Sequence, residues 1–170
     1  MSERADIVSR MVKGIAPFAT GLLGVFLLAL PVRLFGGYVP MPIIPLAVVF
    51  FWTLHDPERL PSSAVFFIGL FQDALTGTPF GLWSTVYLSM KFIVLSQRSY
   101  FLGREPQVIW IGFMLAAGGA ALLVWLVMSL MAGFTLPMLP LGIQLAATIF
   151  FYPVFGRLFR QIRQRVRVEV

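Results

Sequence analysis

The chain has 170 residues, of which 59% are hydrophobic and only 12% are charged. A soluble domain averages about 45–50% apolar and about 25% charged residues, so this chain lacks the polar side chains that a water-facing surface needs. A soluble globular fold is excluded on this ground, and disorder is excluded because it requires low hydrophobicity. The composition predicts an integral membrane protein with almost no domain outside the membrane.

Six apolar segments follow one another along the chain, and we predict that each forms a transmembrane helix. A helix needs about 20 mostly apolar residues to cross the hydrocarbon core, and the third segment is shorter than that. The apolar runs do not alternate with polar residues, which disfavours a β-barrel and favours an all-α fold. In chain order, the predicted segments are residues 14–34, 39–54, 62–75, 80–97, 106–131 and 136–157.

The breaks between the segments carry residues that start helices. Asp56-Pro57 and Thr78-Pro79 each combine a residue that favours the N-cap with a proline suited to the first helical position. We therefore predict a helix start at each of these two places.

Basic residues are distributed unevenly between the two sides of this six-helix arrangement. Eleven of the 13 lysines and arginines fall in the two tails and in the connections after the second and fourth segments. The positive-inside rule places that side in the cytoplasm, together with both termini. We predict a cytoplasmic N-terminal tail at 1–13, a six-helix transmembrane domain at 14–157 and a basic cytoplasmic C-terminal tail at 158–170.

Asp73 is the one acidic residue inside an apolar segment, and a charge at such a depth usually has a partner. The rise of 1.5 Å per helical residue places Lys91 about 8 Å in depth from Asp73, and Arg33 is the competing partner nearer the outer surface. We also expect Asp73 to accept N–H bonds from the turn that follows, because backbone at membrane depth must be satisfied. The alternative is that Asp73 only caps this turn.

Polar residues form stripes on the third, fourth and sixth segments, each on one face of its helix. One interpretation is that the stripes meet around a polar cavity, and the other is that they make separate interhelical hydrogen bonds. The residues predicted to line the cavity are Gln72, Tyr87, Gln144, Thr148 and Tyr152.

Two surfaces are predicted to make contacts. The charge-free outer connections expose apolar residues of the kind that mark a protein partner, among them Tyr38, Met41 and Phe134. The C-terminal tail continues the sixth helix as a basic amphipathic segment that suits anionic lipid headgroups, whereas nucleic acid is disfavoured because aromatic residues are not interleaved. The arginines of this tail are Arg157, Arg160, Arg163, Arg165 and Arg167.

The residues needed for catalysis are missing from the sequence. It has no cysteine and a single histidine, His55, so thiolate or histidine metal sites are not expected. It has neither a nucleophile elbow nor a phosphate-binding glycine loop with a lysine. We therefore expect no enzymatic activity, no cofactor and no metal.

The segment from residue 69 to 81 has the form G-L-x-x-D-x-x-x-G-x-P-x-G and is followed by an aromatic-rich helix. This pattern resembles the MreD family of bacterial rod shape-determining membrane proteins, as do the length, the short third helix and the basic tail. The motif positions in this chain are Gly69, Asp73, Gly77, Pro79 and Gly81.

The resemblance implies a non-enzymatic component of the cell-wall elongation (rod) complex in the bacterial inner membrane. It implies MreC as the direct partner and, directly or through it, MreB and the transglycosylase–transpeptidase pair that makes lateral peptidoglycan. It also implies a likeness to the six-helix substrate-binding subunits of energy-coupling-factor transporters. The alternative function is a binding or transport subunit that holds a small molecule or lipid headgroup between the third, fourth and sixth helices.

Overall fold

The computed structural model describes the backbone of residues 2–30 and 41–168, and the side chains of residues 16–30 and 41–164. Over these ranges the chain forms seven α-helices and no β-strand, so the predicted all-helical class is confirmed. The helices are α1 (Ser2–Ala29), α2 (Ile44–His55), α3 (Ser62–Thr76), α4 (Leu82–Ser96), α5 (Arg98–Phe101), α6 (Pro106–Ala132) and α7 (Met138–Val168).

Six of these helices lie at the six predicted segments, and α5 is a single turn between the fourth and the fifth. The largest differences are at the two ends of the chain. Helix α1 begins at Ser2 and α7 continues to Val168, so residues assigned to the two tails extend these helices. The division into tails and membrane domain stays a prediction.

Two of the described helices are long and apolar enough to cross a membrane by length and composition: Pro106–Ala132 and the part of α7 from Met138 to Gln164. The other apolar helices are shorter, and α3 and α4 have 15 residues each. A helix of 15 residues rises about 22 Å, against a hydrocarbon core of about 30 Å. A helical membrane fold is therefore supported, and six crossings stay a prediction.

Helix α2 forms the centre of the molecule. All ten residues from 45 to 54 are buried, and α2 contacts α1, α4, α6 and α7. A helix that is apolar on every side is stable only when other helices surround it. Aromatic rings join α2 to its neighbours, since Phe50 packs edge-on against Phe113 of α6 and Tyr152 of α7.

The connections define two ends of the helix bundle. The turn between α3 and α4 (residues 77–81) and the connection between α6 and α7 (133–137) lie at one end, which we call the turn end. The connections after α2 and α4 lie at the other end, with the C-terminal part of α7. We call this the basic end because it holds Arg59, Arg98, Arg104 and the arginines of α7.

Candidate functional site

The candidate site is the hairpin of α3 and α4, because it contains the whole motif segment from residue 69 to 81. Helix α3 ends at Thr76 and α4 begins at Leu82. Gly77 and Gly81, at the two ends of the connecting turn, have φ values of 68° and 94°. A residue with a Cβ atom is strained at such φ values, so the turn requires these two motif glycines.

Asp73 holds this turn in place from the last turn of α3, where it is 1% exposed. Its carboxylate accepts hydrogen bonds from the Thr78 hydroxyl at 2.8 Å, the Gly81 N–H at 2.8 Å and the Trp83 N–H at 3.2 Å. Gly81 is the N-cap of α4 and Trp83 its second residue, where N–H groups lack partners within the helix. Asp73 therefore accepts backbone bonds from the turn, as predicted, and caps α4 with a charge that the helix dipole favours.

Of the two predicted helix starts, the one at Asp56-Pro57 is confirmed in position and the one at Thr78-Pro79 is wrong. Helix α4 begins at Leu82 and not at Pro79, because the Thr78 hydroxyl donates to Asp73 instead of capping the helix. At the other place a 3-10 turn, Pro57–Arg59, begins at the predicted proline with Asp56 as its N-cap, although the Asp56 side chain makes no capping bond to it. The Asp56 carboxylate instead pairs with Arg163 of α7, at 2.5 Å from Nε.

Lys91 does not pair with Asp73, although the two charges were predicted partners. Lys91 Nζ donates to the carbonyl of Leu60 at 2.6 Å, and no salt bridge to Asp73 forms within the described residues. The reason is the register of the hairpin: Asp73 is level with Trp83, so Lys91 lies eight residues, or about 12 Å, further along α4. Arg33, the other predicted partner, lies outside the described residues.

Gly69 allows α3 and α4 to approach closely. A Cβ atom at Gly69 would lie 2.4 Å from both the Cα and the N atom of Ser84, which are backbone atoms and have no rotamer to change. The Ser84 hydroxyl donates to the Phe66 carbonyl at 2.9 Å across the same contact. The first motif position is thus explained by helix packing, in the manner of small residues in membrane helices.

Gln72 lies one helical turn after Gly69 on α3 and forms a buried hydrogen bond with Tyr87 of α4. The Tyr87 hydroxyl donates to Gln72 Oε1. Both residues have no exposed surface. Gln72 Nε2 is buried and has no hydrogen-bond partner among the described residues. This pair strengthens the contact between α3 and α4 and does not reach α7.

The predicted cavity residues on α7 belong to a separate set of contacts. Gln144 Nε2 donates to the Met41 carbonyl at 3.0 Å, and Thr148 Oγ1 accepts from the Ile43 N–H at 2.9 Å. Tyr152 stacks on an aromatic ring of α6 with 4.0 Å between the ring centroids. The structure therefore does not bring the five residues around one cavity, and it matches the alternative of separate interhelical hydrogen bonds.

The residues predicted for the partner surface have different environments. Phe134 is 64% exposed at the turn end, whereas Met41 is half-buried. Tyr38 lies outside the described residues. Phe80, at the tip of the hairpin turn, is 77% exposed and was not among the predicted surface residues.

The arginines predicted to contact lipid headgroups all lie on α7. Arg157 and Arg160 are exposed and line a cavity at the basic end. Arg163 is held by Asp56, and this contact was not predicted. The side chains of Arg165 and Arg167 lie outside the described residues.

The polar groups of the hairpin hold its backbone in one conformation, and this is the role that their hydrogen bonds support. The three donors around Asp73 occupy its carboxylate and fix the turn that presents Phe80. The described part of the chain contains no group of three His, Cys, Asp or Glu side chains that could hold a metal ion.

Comparisons of the chain with protein-family models, curated proteins and solved structures find no match.

Proposed function

We propose that the chain is a multi-pass protein of the bacterial inner membrane that acts as a non-enzymatic scaffold in the cell-wall elongation complex. Both termini lie in the cytoplasm, and the turn end faces outward. There the α3–α4 turn and the α6–α7 connection bind the membrane-proximal part of MreC, and through MreC the complex that makes lateral peptidoglycan. The resemblance of residues 69–81 to the MreD motif supplies the identity of the partner.

The surfaces of α6 and α7 support the membrane location. Large apolar side chains are exposed along both helices, including Leu115 and Leu130 at 73% each and Phe150 at 75%. Such faces are stable against lipid and are unusual on a monomeric soluble protein. The basic residues collect at the end of the molecule that the positive-inside rule assigns to the cytoplasm.

The observation that carries the proposed role is the buried Asp73 carboxylate and its three donors in the hairpin turn. A buried charge at this place costs free energy of desolvation, and its bonds fix one backbone conformation in return. The conformation presents Phe80 at the turn end, on the same side as Phe134. Exposed aromatic residues on a rigid backbone are well suited to a protein interface.

Depletion of the chain in the bacterium that encodes it tests this proposal. We expect rod-shaped cells to become round as lateral wall synthesis stops, and re-expression of the unaltered chain to restore the rods. The Asp73→Ala variant should fail to restore them, whereas Ser96→Ala should succeed because Ser96 is exposed at the opposite end of α4. Cells that keep their shape and their pattern of wall synthesis after depletion would contradict the proposed role.

A further inference from the structure

A cavity of about 280 Å³ lies at the basic end, far from the hairpin turn. It is formed where the last turn of α2 and the C-terminal half of α7 meet the first turns of α6. One part of its lining is polar and cationic, and another part is apolar and aromatic. The residues that matter for its chemistry are His55, Gln107, Trp110, Pro153, Arg157 and Arg160.

Pro153 gives the apolar part of this lining a fixed shape. Proline lacks an N–H group, so within a helix it leaves the carbonyl four residues earlier without its usual donor. In α7 that carbonyl belongs to Ile149, and the indole N–H of Trp110 donates to it at 3.0 Å. The Trp110 ring is thereby held against α7 and forms a wall of the cavity.

Two guanidinium groups on the cavity lining have no carboxylate partner among the described side chains. Arg163 is paired with Asp56, but neither Arg157 nor Arg160 forms a salt bridge within the part of the chain described. Arg160 uses only its Nε group, which donates to the Gly156 carbonyl at 3.2 Å. Over residues 16–30 and 41–164, nothing occupies the terminal nitrogens of these two arginines, which leaves them available to an anion.

His55 adds an imidazole ring to the lining of the cavity. Its Nδ1 lies 2.9 Å from the Phe51 carbonyl, and because a carbonyl oxygen only accepts, Nδ1 must carry the proton. In the neutral ring this leaves Nε2 as an acceptor. The cavity thus combines two cations with an imidazole ring and an aromatic wall.

We propose that this cavity binds one anionic phospholipid, with its phosphate against Arg157 and Arg160 and an acyl chain against Trp110 and Pro153. Arginine is well suited to phosphate because its planar group donates two parallel hydrogen bonds. Trp110 lies in the second turn of α6, and tryptophan is enriched at the level where headgroups meet acyl chains. The inference rests on the proposed membrane location and is independent of the role in cell elongation.

This site differs from a general attraction of the basic tail to an anionic surface. Such an attraction depends on summed charge and is spread over many lipids. A cavity that accepts one headgroup predicts instead a single saturable lipid for each chain. It also predicts that filling the cavity weakens lipid binding while every charge is retained.

Gly156 provides the substitution that fills the cavity. It lines the cavity, and a Cβ atom added there would meet no other atom within 4 Å, so Gly156→Leu places its side chain in open space. Gly142→Leu is the matched control, because Gly142 lies on the same helix near the turn end and is equally unobstructed. The two variants have the same net charge and the same change in volume.

The experiment is a titration of the purified full chain in detergent with phosphatidylglycerol, followed by native mass spectrometry. We expect one bound lipid at saturation for the unaltered chain and for Gly142→Leu. Gly156→Leu should bind at least about tenfold more weakly, as should phosphatidylcholine with the unaltered chain. Inorganic phosphate should not displace the bound lipid, since it gains nothing from the apolar wall.

A double variant keeps the proposal falsifiable if Gly156→Leu fails to fold, which circular dichroism would reveal. Arg157→Gln with Arg160→Gln should also weaken phosphatidylglycerol binding at least about tenfold. Arg104→Gln should not, because Arg104 lies at the same end but stacks on the Tyr100 ring and does not line the cavity. Unchanged lipid binding in a folded cavity variant, equal loss in the controls, or displacement by inorganic phosphate would each overturn the proposal.

Discussion

Replacing Asp73 with alanine removes one acceptor from three donors at once. The Trp83 N–H is buried and the Gly81 N–H is partly buried, so neither finds water easily, whereas the Thr78 hydroxyl keeps the Thr76 hydroxyl as a partner at 3.1 Å. A buried donor without a partner costs about 1–3 kcal/mol, and the lost interaction with the α4 dipole adds about 0.3–1 kcal/mol. Removal of a desolvated charge offsets part of this cost. We expect the free energy of unfolding to fall by about 2–4 kcal/mol.

Asparagine at position 73 should have a smaller effect. Its amide keeps one acceptor oxygen but places an NH2 group where the second carboxylate oxygen was, against a backbone donor. We therefore expect about half of the alanine effect, roughly 1–2 kcal/mol. Ser96→Ala, at an exposed position at the other end of α4, should stay within about 0.5 kcal/mol of the unaltered chain.

The assay is equilibrium unfolding of the purified chain in mixed micelles, in which added SDS disrupts the packing between the helices. The order of stability should be Ser96→Ala, then Asp73→Asn, then Asp73→Ala. If the free energy of unfolding of Asp73→Ala lies within about 0.5 kcal/mol of that of the unaltered chain, the carboxylate does not hold the turn and the reasoning fails.

Two further predictions test the hairpin and its orientation. Gly69→Ala should lower the free energy of unfolding by about 1–3 kcal/mol in the same assay, since its Cβ would lie 2.4 Å from the Ser84 backbone, whereas Gly118→Ala meets no atom and should not lower it. Equal stabilities would exclude the close approach of α3 and α4. The chain has no cysteine, so a cysteine at Phe80 should react with an impermeant maleimide in intact cells, and one at Leu102 only after permeabilisation. The reverse pattern would invert the proposed topology.

The all-helical class was predictable because long apolar runs that do not alternate with polar residues are compatible with few structures other than membrane helices. The bounds of the third, fourth and fifth segments were also predicted closely, since glycine and proline interrupt those runs, whereas α1 and α7 extend well beyond their predicted segments. The turn role of Asp73 was predictable because it is an isolated acid before a Gly-Thr-Pro sequence. Its exact partners in α4 were not, because they depend on how two helices slide past each other.

That dependence on register explains the incorrect charge pair. Counting residues from predicted helix ends placed Lys91 within reach of Asp73, but a change of one helical turn moves a side chain by about 5 Å. Lys91 instead bonds to the Leu60 carbonyl. Every residue has a backbone carbonyl, so no sequence pattern could identify the Leu60 carbonyl as the acceptor for Lys91.

The contacts of α7 were missed for a related reason. Asp56 and Arg163 are 107 residues apart, and both occur among many polar residues at the basic end. Pro153 did offer a signal, because a proline inside an apolar helix requires a new donor for an earlier carbonyl. The sequence shows that a donor is needed and does not show that Trp110 supplies it.

Photo-crosslinking in living cells tests most directly whether the turn end binds the elongation scaffold. A benzoylphenylalanine replaces Phe80 in the hairpin turn, Phe134 in the α6–α7 connection, or Phe92 on α4, all three of which are at least 64% exposed. The proposed function predicts that MreC is captured from Phe80 and Phe134 and not from Phe92, which would face lipid. Capture from Phe92 alone, or from none of the three positions in cells that contain both proteins, would contradict it.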